Sequence, residues 1–269
     1  MPSKNYQINQ INKKLAVLID GDNAQPSLIT KILAEAAKFG NITIRRVYGD
    51  WTTPQMKSWK EALNSHAVQP IQQFRYTVGK NATDSAMIID AMDILHSGVV
   101  DTFCLVSSDS DYTRLATRIR ETGMFVVGIG KNTTPKPFVN ACNIFTYTEN
   151  LEIADEDLDA VEVVVEPPKE MTAKEKEKKP ELISKKPAKP NPVPLLKEAF
   201  SMAGDSDWVH LGLFGNYLSQ LDPGFDPRTY GYRQLSQLLK AYKNFFELRF
   251  SEGEGPSDVY VRLKTKPSK

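Results

Sequence analysis

The sequence predicts an α/β protein in two folded parts: a parallel sheet flanked by helices, then a smaller C-terminal α+β winged-helix domain. Three observations carry this expectation. Strand-like and helix-like patterns alternate from Leu15 to Leu151, as in a doubly wound parallel sheet. Several of those strands stop on acidic residues. Beyond a charged stretch, three helical patterns precede two strands joined by a Gly-rich turn, which is the order of a winged helix.

The first strand sets the frame. Leu15 to Ile19 are five apolar residues in a row, the signature of a strand buried on both faces, and the run ends on Asp20-Gly21-Asp22-Asn23. A helix starts at Pro26-Ser27 and keeps Leu28, Ile29, Ile32, Leu33 and Ala36 on one face up to Phe39-Gly40. The second strand, Ile42 to Tyr48, stops at Gly49-Asp50. Pro54 to Ser65 reads as a short helix carrying Met56, Trp59 and Leu63, and Val68 to Tyr76 as a third strand. After Lys80-Asn81-Ala82-Thr83-Asp84 comes a helix that is apolar nearly all round, with Asp84 in its first turn, where the helix dipole favours a carboxylate. At about 100° per residue, Asp90 faces a different way from Asp84, which marks Asp90 as structural.

Val99 to Val106 forms the fourth strand and breaks at Ser107-Ser108-Asp109-Ser110-Asp111. A helix over Tyr112 to Thr122 and a fifth strand over Met124 to Ile129 follow, and a short strand around Ile144-Phe145 completes the sheet. From 152 to 191 the chain is rich in Lys, Glu and Pro and almost free of aromatic residues, so it reads as a solvated linker. The second domain spans 192–265. Leu195 to Phe200, Leu213 to Leu221 and Gln234 to Tyr242 are its helices, Trp208-Val209 is a short extended segment, and Phe245 to Phe250 with Asp258 to Lys264 form the hairpin.

Composition agrees with this division and narrows the chemistry. A chain of 269 residues, 41% hydrophobic and 25% charged, has the make-up of a soluble globular protein with room for two domains. The net charge of +1 announces no overall nucleic-acid field, although a neutral whole can hold a local patch. Two cysteines, Cys104 and Cys142, support neither a disulfide framework nor a thiolate metal site, and the three histidines form no ligand pair. Residues 1–14 are a polar tail without the apolar core of a signal peptide, so the expected location is cytoplasmic.

Chemistry is expected at the carboxyl ends of the strands, where ligands of open α/β sheets gather. Asp20, Asp50, Asp109 and Asp111 follow three strands of one sheet, and Asp84 opens a helix beyond a fourth. Each alone could be a cap or turn residue. Together they would repel unless a cation joined them, and a hard divalent ion such as Mg²⁺ or Mn²⁺ takes oxygen ligands of this kind. Asp20, Asp84, Asp109 and Asp50 are the candidate metal ligands, and Asn23 is a candidate substrate-binding residue that can also support the turn or bond Asp20 or a bound water. Lys80, Ser107 and Ser108 are placed to meet phosphate oxygens. In the second domain Arg228, Tyr230, Tyr232, Arg233 and Lys240 cluster along the third helix, offering rings for bases and cations for phosphates. The region 191–269 nevertheless carries ten Lys or Arg against nine Asp or Glu, so it is not basic as a whole.

Leu18-Ile19-Asp20-Gly21-Asp22-Asn23, Lys80-Asn81-Ala82-Thr83-Asp84 and Val106-Ser107-Ser108-Asp109-Ser110-Asp111-Tyr112 resemble the three blocks of NYN domains, a PIN-like nuclease group that includes the LabA-like proteins. The resemblance covers 15–151. It implies a PIN-like fold and metal-dependent ribonuclease chemistry at Asp20, Asp84 and Asp109, with Asp111 assisting. Asp50 matches only some relatives, and one extra residue between Lys80 and Asp84 departs from the common block. Val209-His210-Leu211 and the run from Tyr230 to Leu239 resemble the LOTUS or OST-HTH domain, which implies RNA binding and, in some relatives, a protein partner. The resulting expectation is an endoribonuclease acting on single-stranded or structured RNA, with a homodimer left open. A non-catalytic RNA-binding protein with the same pocket is the competing reading.

Overall fold

The computed structural model describes residues 13–74, 82–153, 191–204, 206–251 and 258–264. They form two compact units, one built on a six-stranded sheet and the other on a three-stranded sheet.

In the first unit, strands β1 (Lys14–Asp20), β2 (Asn41–Gly49), β3 (Gln69–Gln72), β4 (Thr102–Val106), β5 (Phe125–Gly130) and β6 (Ile144–Tyr147) lie in the order β3-β2-β1-β4-β5-β6. All pairs are parallel. Strand β1 is central, and its residues Leu15 to Asp20 are all buried, as a continuous apolar run requires. Side chains alternate along it. Leu15, Val17 and Ile19 meet α1 (Ile29–Ala36) and α2 (Trp59–His66) through Ile29, Ile32 and Trp59. Ala16 and Leu18 enter the opposite core with α3 (Ala82–Ser97), α4 (Thr113–Glu121) and α5 (Lys136–Ala141) through Met87, Leu115 and Phe138.

The chain therefore builds outward through β2 and β3 with helices on one face, then crosses by α3 to β4 on the other side of β1. That reversal opens a crevice between the carboxyl ends of β1 and β4, where a doubly wound sheet binds its ligands. Close packing fixes the end of β1. A Cβ on Gly21 would lie 2.7 Å from both the Tyr48 carbonyl oxygen and Met56 Cε, and the buried Trp59 indole donates to the Gly21 carbonyl at 3.2 Å.

Some expectations change in extent. Among the described residues the third strand covers Gln69–Gln72 of the predicted 68–76, an edge strand whose residues are exposed apart from Ile71; residues 75–81, including Lys80, lie outside the described set. Helix α3 is not buried all round: Met87, Ala91, Ile94 and Leu95 are buried, whereas Ile89 is 63% exposed. Two short helices, α5 and α6 (Thr148–Glu152), flank β6 where no helix was expected. Pro135 starts the first of them, but six residues are too few for a clear period. Residues 154–190 of the predicted linker lie outside the described residues.

In the second unit, α7 (Val193–Ser201), α8 (Leu211–Leu221, through Tyr217) and α9 (Leu235–Ala241) pack with the antiparallel strands β7 (Val209–His210), β8 (Phe246–Phe250) and β9 (Val259–Leu263) in the order β7-β9-β8. Leu196, Phe214, Leu238, Phe246 and Val261 are its buried core. Gln234 and Gln237 close a capping box on α9, which explains why that helix starts after Gln234. Among the described residues no helix is long and apolar enough to cross a membrane.

Candidate metal centre

Residue parity on β1 turns Asp20 toward the face covered by α3 and α4. The side chain is fully buried, and three donors hold it: the Asp22 amide on Oδ1 at 3.1 Å, and the Asn23 carboxamide at 2.6 Å and Ser107 hydroxyl at 2.9 Å on Oδ2. Burial pushes its pKa up, and the hydrogen bonds from Asn23, Ser107 and Asp22 pull the other way. Ser107 also accepts from the Asp109 amide at 3.1 Å, so one hydroxyl links the ends of β1 and β4.

Asp109 caps the 3₁₀ turn Ser110–Tyr112, accepting from the Asp111 amide at 2.9 Å. The turn delivers Tyr112, fully buried, whose hydroxyl donates to Asp84 Oδ1 at 2.8 Å. Asp84, 9% exposed, thereby faces the end of β4 from the first turn of α3. Burial raises its pKa; the Tyr112 hydrogen bond opposes this, while the charges of Asp20, Asp109 and Asp111 add to it. Each of Asp84, Asp109 and Asp111 has a carboxylate oxygen within 4.8 Å of the others. Among the described residues no Lys or Arg pairs with Asp84 or Asp109, and Asp84 Oδ2 and Asp109 Oδ2 receive no hydrogen bond. A hard divalent cation fits this donor set: oxygens only, and converging.

The predicted residues thus fall into groups. Asp84, Asp109 and Asp111 form the convergent trio, and Asp20 stands outside it while contributing to the field at Asp84. Asp50, at the end of β2, accepts from the Thr52 amide and hydroxyl and from Gln72, which closes its own loop. Ser108 accepts from the Lys131 amide at 2.8 Å. Asp90 pairs with Arg46 at 2.5 Å and with the Tyr48 hydroxyl and is not a member of the trio. Tyr112 is a site residue to which the sequence assigns no role of its own, although it closes the third block that resembles NYN domains, directly after Asp109-Ser110-Asp111.

A family model for the NYN domain matches residues 14–152, more than half of the chain. The chain belongs to the NYN domain family. A second model, for the OST-HTH/LOTUS domain, matches residues 183–257 downstream of the NYN domain. The NYN domain gives the first unit a PIN-like, nuclease-like fold, and the OST-HTH domain points to RNA binding. Among curated proteins none matches the chain. Solved structures similar to it include a crystal structure of a protein of unknown function from Vibrio parahaemolyticus, 19% identical, covering 50% of this chain and 91% of that one with a TM-score of 0.43. A solution NMR structure of an uncharacterized protein from Nitrosomonas europaea is 31% identical, covering 37% of this chain and 97% of that one with a TM-score of 0.28.

The predicted contacts of the OST-HTH domain also separate. Arg228 is committed to Asp226, with nitrogen to oxygen distances from 2.7 to 3.1 Å. Tyr232 is half-buried and its pKa is raised by burial and by Tyr242. Lys240 lies 4.9 Å from the centre of the Phe250 ring. Tyr230 is half-buried, while Arg233 is exposed.

Proposed function

We propose that the chain is a metal-dependent endoribonuclease, in which the NYN domain cleaves RNA and the OST-HTH domain holds it. The observation that supports this most is the trio Asp84, Asp109 and Asp111, whose oxygens lie within 4.8 Å of one another. Asp84, Asp109 and Asp111 are the residues that hold Mg²⁺ or Mn²⁺ in this reading. Such an ion supplies charge neutralisation at a phosphoryl transition state and lowers the pKa of its water. The protein's part is to keep the carboxylates in place. Tyr112 fixes Asp84, the Asp111 amide fixes Asp109, and Ser107 ties Asp109 to Asp20. Asp20 adds negative charge behind the trio and so strengthens its demand for a cation. A cytoplasmic location belongs to the same proposal.

The test is a time course of the purified full chain with an internally labelled RNA and the DNA of the same sequence, in Mg²⁺, in Mn²⁺ and in EDTA. Metal-dependent internal cleavage of the RNA, with the DNA spared, is expected. Stable RNA binding without product would instead make the chain a binding protein, and equal cleavage of both substrates would remove the RNA specificity.

A further inference from the structure

The hairpin of the OST-HTH domain has an outward face whose composition differs from an ordinary solvated sheet. Register pairs Leu248 with Val261 and Phe246 with Leu263, and Val209 with Val261. Those residues share one face, with Phe246, Val261 and Val209 buried. The alternate positions form the other face: Arg249 opposite Tyr260, Glu247 opposite Arg262, and His210 opposite Tyr260 from the other side. Trp208, just before β7, joins them. The Arg262 guanidinium lies 4.8 Å from the centre of the Trp208 ring; that of Arg249 lies 5.1 Å from Trp208 and 5.6 Å from Tyr260. The face is thus a connected series of flat groups, alternating cation and ring, on a rigid sheet.

Cross-strand stacking of this kind also stabilises a hairpin, so the stacking alone would not require a ligand. Charge supplies the second observation. Arg262 is matched by Glu247 at 2.6 Å and His210 has Asp258 at 3.6 Å, whereas among the described residues no carboxylate pairs with the exposed Arg249. An unmatched guanidinium centred between two aromatic rings suits a planar, anionic polymer, because one group can meet a phosphate while its neighbours stack on bases. Arg228, in the turn before α9, is already engaged by Asp226.

We infer that this sheet face, centred on Arg249, Tyr260 and Trp208, is where the OST-HTH domain stacks the unpaired bases of RNA. The inference rests on the RNA-binding part of the proposed function and adds the surface and the single-stranded preference. Base stacking reads only exposed base faces, so a duplex is excluded from it.

Fluorescence anisotropy of the full chain with a labelled single-stranded RNA and its duplex, in EDTA to stop turnover, tests this over a series of salt concentrations. The wild type should bind the single strand at least tenfold more tightly. Tyr260→Thr, which keeps a strand-forming residue, should weaken binding by roughly tenfold with the salt slope unchanged. Arg249→Gln should weaken it and lower the slope by about 0.7, as loss of one phosphate contact does on a single strand, while Arg249→Lys should keep the slope but lose several-fold in affinity. Circular dichroism melts establish that each variant is folded, and the two Arg249 variants carry the test if Tyr260→Thr is not. Wild-type binding with unchanged affinity in Arg249→Gln and Arg249→Lys would overturn the surface and leave the RNA-binding reading intact. Absence of RNA binding by the wild type would overturn both. Binding of a polyglutamate peptide in place of RNA would assign the face to an acidic protein and also overturn the inference.

Discussion

Replacing Asp84 by Asn should make the metal-free protein more stable while removing its response to metal. Asp84 is 9% exposed and has carboxylate oxygens of Asp109 and Asp111 within 4.8 Å. One pair of like charges at that distance costs about 0.9 kcal/mol in water and about 3.5 kcal/mol at an effective dielectric of about 20. Asp111 is exposed and so largely screened. The Tyr112 hydroxyl can still donate to the carboxamide oxygen at position 84, so its hydrogen bond is retained. The net gain expected is about 1–2 kcal/mol, or about 3–6 °C in Tm. The sign follows from linkage: a carboxyl whose pKa is raised in the folded state binds its proton more tightly there than in the unfolded chain. Metal-free stability of the wild type should therefore fall as pH rises from near 3.8 through the raised folded value, and the fall should be smaller in Asp84→Asn. Differential scanning calorimetry in EDTA and in Mn²⁺, between pH 4 and pH 8, reads both effects. A variant less stable than the wild type in EDTA, or one that gains as much from Mn²⁺, would refute the electrostatic account of the site.

Two further outcomes follow from the supporting contacts. Ser107→Ala removes a donor to Asp20 and an acceptor for the Asp109 amide; it should cost about 1–3 kcal/mol in a melt and slow cleavage by about tenfold, and an unchanged rate would detach Ser107 from the site. Asp90→Asn leaves Arg46 and Tyr48 without their charged partner and should destabilise by about 2 kcal/mol, while cleavage per folded molecule stays at the wild-type rate. Loss of cleavage in folded Asp90→Asn would bring Asp90 into the chemistry.

The parts of this protein that the sequence made legible are those set by local pattern. Five apolar residues ending on Asp20 specify a central strand and an acidic end, whatever lies elsewhere in the chain. The placement of Asp90 away from Asp84 also follows from helical geometry, and its pairing with Arg46 and Tyr48 agrees. What depends on tertiary neighbours was not legible. Ser107, considered for phosphate oxygens, is turned to Asp20 because β1 and β4 are adjacent. Asp50 follows a strand just as Asp20 does, yet Thr52 and Gln72 enclose it. The face of Trp208, Arg249 and Tyr260 was hidden for the same reason: alternation marks which residues point outward, but only the antiparallel register brings these three together.

Whether these carboxylates form the metal centre is read from the rate at which folded Asp109→Asn cuts RNA in Mn²⁺, compared with the wild type under single-turnover conditions. Asp109 is bonded by the Asp111 amide through one oxygen, which a carboxamide can still provide, so the fold of the turn should survive. Cleavage is expected to drop by at least about 100-fold, the scale of losing transition-state charge stabilisation. Cleavage by Asp109→Asn at the wild-type rate, still dependent on Mn²⁺, would contradict the assignment of these carboxylates as the metal centre.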